Sequence, residues 1–221
     1  MKREIITTAD GSTTIHLPDW NEQYHSKHGA IQEAYHVFIK QGLSLFEKQD
    51  ISILEIGFGT GLNALITFLE ASDRTLNVHY IGVEAYPVAS DEVSKLNYVE
   101  ALKAKEHATV FEQLHAQSWN KLHAISPFFS LEKRQQFFGQ IADRNVFNLI
   151  YFDAFGARVQ PELWTEAIFT KMYQALRPNG VLVTYSAKGS VRRAMQSVGF
   201  SVERLPGPPG KREMLRAVKE A

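Results

Sequence analysis

The residues of this 221-residue chain that best fit a chemical task are three glycines at alternate positions. Gly57, Gly59 and Gly61 follow the apolar, β-branched run 51–56, and an apolar-periodic segment comes next. This order predicts a buried strand, a tight turn and a helix N-terminus, which is where an open α/β sheet binds a nucleotide-like ligand. Glycine adopts positive φ and lets a ligand approach without meeting a Cβ. For this stretch taken alone, a purely structural turn is the alternative.

Two acidic residues end predicted strands. Glu84 closes the predicted strand 78–84, close to the ~20 residues after the glycine turn at which such folds place a carboxylate on ribose hydroxyls. Asp153 closes the strongly apolar predicted strand 146–153. Ligands of such sheets bind at the carboxyl ends of the strands, so both acids are expected in a binding site. The alternatives are a surface acid for Glu84 and an acid that caps the next turn for Asp153.

The composition excludes several classes of protein. The chain has no cysteine, which excludes disulfides, thiol catalysis and thiolate metal sites. His25 and His28 are three residues apart and could suggest a metal site, but the sequence nearby offers no third ligand. The interpretation as polar residues at a helix start is therefore favoured. The chain carries 24 Lys plus Arg and 24 Asp plus Glu, so any nucleic-acid site requires a local basic cluster.

Hydropathy gives no sign of a membrane protein. No apolar run approaches the ~20 residues that a membrane-spanning helix needs, and the N-terminal residues lack an apolar signal segment. We therefore expect a cytoplasmic protein with no membrane partner.

Strands and helices alternate along most of the chain, which predicts a mainly parallel sheet with helices on both faces. A small N-terminal hairpin is predicted over 7–15, and the segment 118–129 reads as irregular. The predicted helices are 31–46, 61–71, 88–115, 161–176 and 186–197. The predicted strands of the sheet are 51–56, 78–84, 131–138, 146–153, 181–185, 198–205 and 212–218.

The fold class is therefore α/β, a seven-stranded sheet with one antiparallel edge member, which resembles the class I methyltransferase (Rossmann-like) architecture. The polar strand 131–138 is expected at a sheet edge. We expect a single domain over 1–221, with the hairpin and first helix in 1–48 and the Rossmann-like core in 49–221.

Several ordered motifs carry a family resemblance. Glu55-x-Gly57-x-Gly59-x-Gly61 resembles motif I of class I S-adenosylmethionine-dependent methyltransferases. The further motifs are GFGTGLN at 57–63, YFDAF at 151–155, QPELW at 160–164, RPNG at 177–180, YSAKGSVRR at 185–193, VGF at 198–200 and GKREML at 210–215. Together they resemble the methyltransferase domain of the MnmC family of tRNA-modifying enzymes, in its stand-alone form (MnmD). The resemblance extends over most of the chain.

The resemblance implies a reaction and a cofactor. The reaction is methylation of the aminomethyl group of wobble 5-aminomethyl-2-thiouridine in tRNA, with S-adenosylmethionine as donor and no metal. Any oxidase activity is expected from a separate protein. The family has an acid after the glycine that ends the third strand, where this chain has Gly139 followed by Gln140, whose amide is expected to contact the adenine edge. The expected cofactor-binding residues are Glu55, Gly57, Phe58, Gly59, Gly61, Asn63, Glu84, Gln140, Asp153 and Ala154.

Methylation of an amine requires the nitrogen in its neutral form. A free alkylamine of lysine type has a pKa near ~10.4 and is mostly protonated at neutral pH. Asp153 is therefore predicted as the catalytic residue that orients or deprotonates the amine. For the RNA, the expected contacts are a stacking side chain and a local phosphate-binding set: Phe155, Arg158, Lys188, Arg192, Arg193, Lys211 and Arg212.

Two other functions stay open at this point. One is an aminopropyltransferase-like enzyme that acts on a small free amine, which shares the fold but not the ordered C-terminal motifs. The other is a non-catalytic RNA-binding module on the same fold. The presence of the glycine turn, Glu84 and Asp153 argues against the non-catalytic module.

Overall fold

The computed structural model describes residues 2–221 and begins with a small antiparallel sheet. Its strands are β1 (Glu4–Thr7), β2 (Thr13–Leu17) and β3 (Glu22–Gln23). The predicted hairpin is confirmed by the pairing of β1 with β2. A third strand is added because a 3₁₀ turn at Pro18–Trp20 and a left-handed Asn21 (φ 46°) return the chain along β2.

The first helix is less regular than its apolar spacing predicts. Helix α1 (Ala30–Ala34) continues as a π-helix over Tyr35–Lys40, and a 3₁₀ turn follows at Leu43–Leu45. The predicted helix 31–46 is thus present as three successive helical segments. Their buried side chains pack against the large sheet.

The large sheet has eight strands. They are β4 (Asp50–Ile56), β5 (Asn77–Glu84), β6 (Leu122–Ser126), β7 (Phe129–Gln135), β8 (Phe147–Phe152), β9 (Leu176–Thr184), β10 (Ser201–Pro206) and β11 (Glu213–Val218). Their order is β10-β11-β9-β8-β4-β5-β7-β6. The central strands pair in parallel, whereas β6 and β11 run antiparallel to their neighbours. The predicted α/β class with a mainly parallel sheet is confirmed.

Six further helices connect the strands. They are α2 (Leu62–Asp73), α3 (Ser90–Val93), α4 (Tyr98–Ala101), α5 (Ala108–Ala116), α6 (Glu166–Ala175) and α7 (Gly189–Ser197). The long predicted helix 88–115 is broken into α3, α4 and α5, and Lys103 with φ 56° stands at one break. Short 3₁₀ segments lie at Lys105–His107, Phe138–Gln140 and Pro161–Trp164.

Several predictions about the sheet are wrong in detail. The segment 118–129 contains strand β6, so the sheet has eight strands and β7 is covered instead of lying at the edge. Pro127 lies in the short connection between β6 and β7. Because proline disrupts strands, the sequence of this hairpin resembles that of a loop. The antiparallel strand β11 is inside the sheet, with β10 beyond it. The strand predicted over 181–185 begins earlier, at Leu176, because 177–180 forms a bulge within β9.

The core lies on both faces of the central strands. Tyr151 and Phe152 are adjacent on β8 and both fully buried, yet they belong to two different hydrophobic clusters. Successive side chains of a strand point to opposite faces, so each cluster covers one face of the sheet. Within residues 2–221 no helix has both the length and the apolarity to cross a membrane.

Candidate active site

A cleft of about 1130 Å³ opens at the carboxyl ends of β4, β5 and β8. Its floor includes the glycine turn that follows β4, the acid that ends β5 and the residues that follow β8. The segment 20–28 and the joint between β10 and β11 supply other walls. The sheet thus brings the two predicted acids, Glu84 and Asp153, to one cavity, as expected for parallel strands that end at the same edge.

The glycine turn is held tightly against the neighbouring strands. The backbone N–H groups of Gly57 and Phe58 both donate to Val83 O at 3.0 Å. Gly57 has φ +91°, and a Cβ on it would lie 2.7 Å from the Asp153 carbonyl oxygen. A side chain here is excluded both by the backbone conformation and by this contact. The turn therefore leaves bare backbone facing the cleft, a surface that suits close approach of a ligand.

Glu84 links the end of β5 to the glycine turn. Its Oε2 accepts a hydrogen bond from Gly59 N at 3.1 Å, and its Oε1 accepts one from Tyr86 N at 3.0 Å. Each carboxylate oxygen has capacity for a further hydrogen bond, and Glu84 lines the cleft. The arrangement fits the predicted role of a carboxylate that accepts hydrogen bonds from ribose hydroxyls.

Asn63 bridges two carboxyl groups at the centre of the cleft. Its Nδ2 donates to Glu55 Oε1 and to Asp153 Oδ2, both at 2.9 Å. Burial raises the pKa of Glu55 well above its usual range, which favours its protonated form. Glu55 Oε2 and Asn63 Oδ1 are buried and have no hydrogen-bond partner among residues 2–221. Buried polar atoms are normally paired, so Asn63 Oδ1 has capacity for a polar ligand in the cleft, whereas the Glu55 carboxyl also interacts with the buried Tyr80 hydroxyl.

Asp153 has the electrostatic properties of a proton acceptor at neutral pH. Burial, and then the negative charge of Glu33, raise its pKa to about 7. The hydrogen bond from Asn63 and the positive charge of Lys211 act in the opposite direction. A carboxyl with a pKa near the working pH exchanges protons most effectively.

Aromatic side chains form one wall of the cleft. Phe155 contacts Trp20 and Tyr24 edge to face, with ring centroids 5.8 and 4.9 Å apart. The Tyr185 hydroxyl donates to Ala154 O at 2.8 Å. A planar base has suitable stacking partners here, and Phe155 was expected in that role. Trp164, in contrast, is core: it is 5% exposed and its Nε1 donates to Phe155 O at 2.8 Å.

The N-terminal region contributes more to the cleft than the sequence indicated. Tyr24, His25 and Glu33 all line it, although no motif marked them as functional. The His25 ring lies 3.1 Å from Thr14 Oγ1 and 3.5 Å from Thr60 Oγ1, which ties β2 to the glycine turn. Burial lowers the pKa of His25 to about 4, so its ring is neutral at physiological pH. The only signal available was the concentration of polar and aromatic residues over 20–28.

Two of the expected cofactor residues do not line the cleft. Gln140 is exposed, its Oε1 accepts a hydrogen bond from Phe137 N at 2.9 Å, and it borders a separate shallow depression. Phe138 and Gly139 line the cleft in its place. Gly61 caps α2 with φ +72° and packs against His115. The remaining expected residues lie together along the cleft: Glu55, Gly57, Phe58, Gly59, Asn63, Glu84, Asp153 and Ala154.

The basic residues expected to contact RNA have different environments. Arg158 is engaged within the protein, where its Nη2 donates to Trp20 O, Asn21 O and Glu22 at 3.0 to 3.1 Å. Lys211 pairs with Glu33 inside the cleft. The others lie around the N-terminal end of α7 and in the joint between β10 and β11; Lys188, Arg193 and Arg212 are exposed, and Arg192 is half-buried.

No three His, Cys, Asp or Glu side chains within residues 2–221 converge in a way that would hold a metal ion. His25 and His28 both line the cleft. The imidazole of His25 is occupied by its threonine neighbours.

Comparisons with known proteins agree with this geometry. Residues 133–220 match a family described as S-adenosyl-L-methionine-dependent methyltransferase. The chain is 29% identical to the tRNA 5-methylaminomethyl-2-thiouridine biosynthesis bifunctional protein MnmC of Aeromonas hydrophila, over 89% of this chain and 34% of the relative. It is 28% identical to the protein of that name from Hydrogenovibrio crunogenus, over 96% of this chain and 33% of the relative. The chain thus spans about a third of the length of the curated relatives it matches.

Solved structures give the same relationship. The crystal structure of MNMC2 from Aquifex aeolicus is 26% identical, with a TM-score of 0.73 over 100% of this chain and 71% of that one. Spermidine synthase from Thermotoga maritima is 15% identical, with a TM-score of 0.57 over 97% of this chain and 72% of that one, and shares the fold alone. The resemblance to the methyltransferase part of the MnmC proteins is confirmed.

Proposed function

We propose that the chain transfers the methyl group of S-adenosylmethionine to the aminomethyl group of 5-aminomethyl-2-thiouridine at the wobble position of tRNA. The product is 5-methylaminomethyl-2-thiouridine, the nucleoside in the names of the curated relatives. The observation that carries the proposal is Asp153, a carboxyl with a pKa of about 7 that lies beside the glycine turn in the large cleft.

In this proposal the cofactor lies along the glycine turn. The bare backbone of Gly57 and Gly59 faces it, and Glu84 accepts hydrogen bonds from its ribose hydroxyls. The unpaired Glu55 Oε2 and Asn63 Oδ1 provide polar contacts for its amino-acid end. When bound, the cofactor supplies an electrophilic methyl group on a positively charged sulfur.

In this proposal Asp153 acts twice on the substrate amine, which accepts the methyl group. Its carboxylate attracts the substrate amine in the ammonium form that predominates in solution. It then takes the ammonium proton, so that the nitrogen lone pair is free to form the new N–C bond as the S–C bond breaks. Asn63 holds Oδ2 of Asp153, which leaves Oδ1 for the amine. The aromatic wall with Phe155 stacks on the thiouridine base.

The tRNA backbone lies, in the same proposal, against the exposed cations near the rim, Lys188, Arg193 and Arg212. We place the reaction in the cytoplasm, where tRNA is modified. The curated relatives are called bifunctional, and we assign their second activity to no residue of this chain.

A small-amine aminopropyltransferase is the competing assignment. The spermidine synthases among the solved structures share only the fold with this chain, at 15 and 16% identity. The relatives with higher identity over nearly the whole chain carry the tRNA-modification name. The methyltransferase assignment is therefore the better supported one.

The test uses purified protein and S-adenosylmethionine with a radioactive methyl group. We expect label in tRNA that carries the aminomethyl group and none in an unmodified transcript or in putrescine. Nucleoside mass spectrometry of the tRNA should show the methylaminomethyl product. Efficient labelling of unmodified transcript would contradict the substrate assignment, and transfer to putrescine from decarboxylated S-adenosylmethionine would favour the aminopropyltransferase.

A further inference from the structure

Two charged residues of the cleft form an ion pair that the proposed reaction leaves unexplained. Lys211 lies in the joint between β10 and β11, and its ammonium group binds Glu33 Oε1 on α1. Both side chains line the cleft together with Asp153. Because 178 positions separate the two residues, the pair connects opposite ends of the chain across the cleft.

The pair is fixed in place by further contacts. Glu33 is only 7% exposed, and its Oε2 accepts a hydrogen bond from Ser26 N at 2.9 Å. The Lys211 ammonium lies 3.9 Å from the centroid of the Tyr185 ring, a cation–π contact. The hydroxyl of the same tyrosine donates to Ala154 O, next to Asp153 in the chain. The pair is therefore anchored to the backbone segment that carries Asp153.

Two histidines hold the joint that carries Lys211. The His36 Nε2 atom lies 2.8 Å from the carbonyl oxygen of Pro206 and donates to it. The ring of His28 packs directly on Gly210, leaving no room for a Cβ there. The backbone of the joint that carries Lys211 is thus held by packing from the N-terminal region.

We propose that Glu33 and Lys211 are positioning residues for the proposed methyl transfer, an inference that rests on that function: as a pair they set the charge state in which Asp153 meets the acceptor amine. The two charges act on Asp153 in opposite directions. The carboxylate of Glu33 disfavours ionisation of Asp153, and the ammonium of Lys211 favours it. Lys211 therefore belongs to the reaction centre and not to the RNA-contact set in which the sequence analysis placed it. Its exposed neighbour Arg212 remains in that set.

Other titratable groups also face Asp153. Glu55 on β4 and Tyr80 on β5 are fully buried and interact with its charge, as does Tyr185 at the end of β9. Burial raises the pKa of each of these three groups, which favours the uncharged form of each. The charged groups that act most directly on Asp153 are therefore Glu33 and Lys211.

The experiment compares two neutralising variants, Glu33→Gln and Lys211→Met. We expect the acid limb of the pH profile of kcat/KM to move down by about one pH unit in the first and up by about one pH unit in the second. The double variant should return close to the wild-type position, because both charges are then absent. Lys211→Arg, which keeps the charge, should keep the limb in place. A purely structural pair would reduce activity in both variants without moving the limb in opposite directions.

The control is Glu203→Gln, which neutralises a carboxylate paired with Arg216 at 2.7 Å on the same β10–β11 hairpin, away from the cleft. It should leave the limb unchanged. Carbon-13 NMR titration of the Asp153 carboxyl, assigned by its absence in Asp153→Asn, measures the same shifts without turnover. Unmoved or same-direction titration in both variants would overturn the inference. A wild-type protein that methylates no tRNA, but shows the opposite shifts by NMR, would instead overturn only the proposed function.

Discussion

At the scale of single residues, the carboxyl of Asp153 combines two properties that rarely occur together. It faces a cleft that is open to ligands, yet the surrounding protein raises its pKa to about 7. Asn63 supplies a hydrogen bond at 2.9 Å that fixes one of its two oxygens. A group with these properties is partly ionised at neutral pH and accepts a proton without a large free-energy cost.

Asp153→Asn should therefore abolish most of the activity and leave cofactor binding intact. Asparagine keeps the size and part of the hydrogen bonding but loses the basicity, so turnover should fall by about 10²–10⁴-fold. Raising the pH should restore part of the rate, since more of the substrate amine is then neutral. Methyl transfer measured from pH 6 to pH 9.5, with cofactor affinity from calorimetry, checks both expectations. Near-normal turnover at neutral pH would contradict the role, and lost turnover without recovery at high pH would limit Asp153 to orienting the amine.

Glu84→Ala should weaken S-adenosylmethionine binding by roughly 1–3 kcal/mol, because buried ribose hydroxyls would lose their acceptor. The glycine turn also loses its hydrogen bond from Gly59 N. Glu84→Gln separates the loss of the ribose contact from the loss of the Gly59 contact. Glutamine keeps one acceptor oxygen, which can serve one of these two partners. Calorimetric titration with the cofactor is the measurement, and an unchanged affinity in a folded Glu84→Ala protein would remove this residue from the site.

At the scale of residues, the sequence predicts those site residues that belong to short motifs. Gly57, Glu84 and Asp153 follow strands at recognisable spacing, and all three line the cleft. The sequence does not predict a role in the cleft for Glu33, and it presents His25 only as a polar residue at a helix start, because both roles depend on where α1 and the segment before it pack. Gln140 was expected at the adenine edge from its position after a glycine, but the 3₁₀ turn at 138–140 directs its amide to Phe137 N.

At the scale of elements, the N-terminal region covers the ligand face of the sheet and is attached to it at several points. Arg3 donates to Glu92 at 2.9 Å, beyond the end of β5. Asn97 accepts a hydrogen bond from Thr13 N at 2.8 Å. Arg158 is a further attachment, between the segment after β8 and the turn before β3. These contacts link the N-terminal region to the core. A single domain over 1–221 stays a prediction, which one cooperative unfolding transition would support.

Arg158→Met tests whether this attachment shapes the acceptor side of the cleft. The residue is exposed and its ion pair with Glu22 contributes little, so unfolding free energy should fall by less than about 1 kcal/mol. The KM for tRNA should nevertheless rise while cofactor affinity stays the same, because Arg158 holds the turn that carries Trp20. Arg144→Met, an exposed arginine before β8 at the other end of that strand, is the matched control. Equal KM values in the two variants would contradict this role.

The elements also show where periodicity fails as a guide. Strands β4 and β8 are buried on both faces, and their apolar runs made them easy to predict. The sequence does not predict strand β6, because the strand is short, partly exposed and followed by Pro127, and it predicts strand β7 at the edge because the residues of β7 are mostly polar. Lys133 of β7 is instead 2% exposed, with its ammonium bound to His115 O at 2.6 Å and near the Trp119 ring.

At the scale of the whole molecule, buried histidines and buried carboxyls respond to pH in opposite ways. Burial lowers the pKa of His115 to about 4, from an unfolded value of 6.5. Between these two values the unfolded chain binds a proton that the folded protein does not, so this group destabilises the fold as the pH falls from 6.5 to 4. Asp153, with its pKa raised to about 7, binds its proton in the folded state first and has the opposite effect between pH 7 and 3.8.

His115→Gln should reduce the acid sensitivity of the protein. Its unfolding free energy should fall less than that of the wild type between pH 6.5 and 4, by on the order of 2–3 kcal/mol for complete removal of the shifted group. Glutamine retains a donor for the Thr60 carbonyl that His115 Nε2 approaches at 3.1 Å. Urea unfolding at several pH values measures the slopes, and identical slopes in the two proteins would contradict the assignment.

The overall charge of the molecule determines how its RNA contacts must be tested. Formal net charge is zero, so affinity for a polyanion depends on where the cations lie. Strand β9 ends and β11 begins at the ligand edge of the sheet, which puts the start of α7 and the β10–β11 joint beside the cleft. The exposed Arg193 and Arg212 lie on these two segments.

Reversing both charges, in Arg193→Glu with Arg212→Glu, should weaken tRNA binding and flatten its dependence on salt. Each phosphate contact that is lost removes about 0.9 from the slope of log affinity against log salt for double-stranded regions, because fewer counterions are released on binding. Cofactor affinity should not change, since neither residue lines the cleft. Arg177→Glu is the control, because Arg177 is exposed near the start of β9 at the opposite edge of the sheet. Filter binding from low to high salt gives the slopes, and an equal loss of slope in the control would show that the effect follows net charge and not a patch beside the cleft.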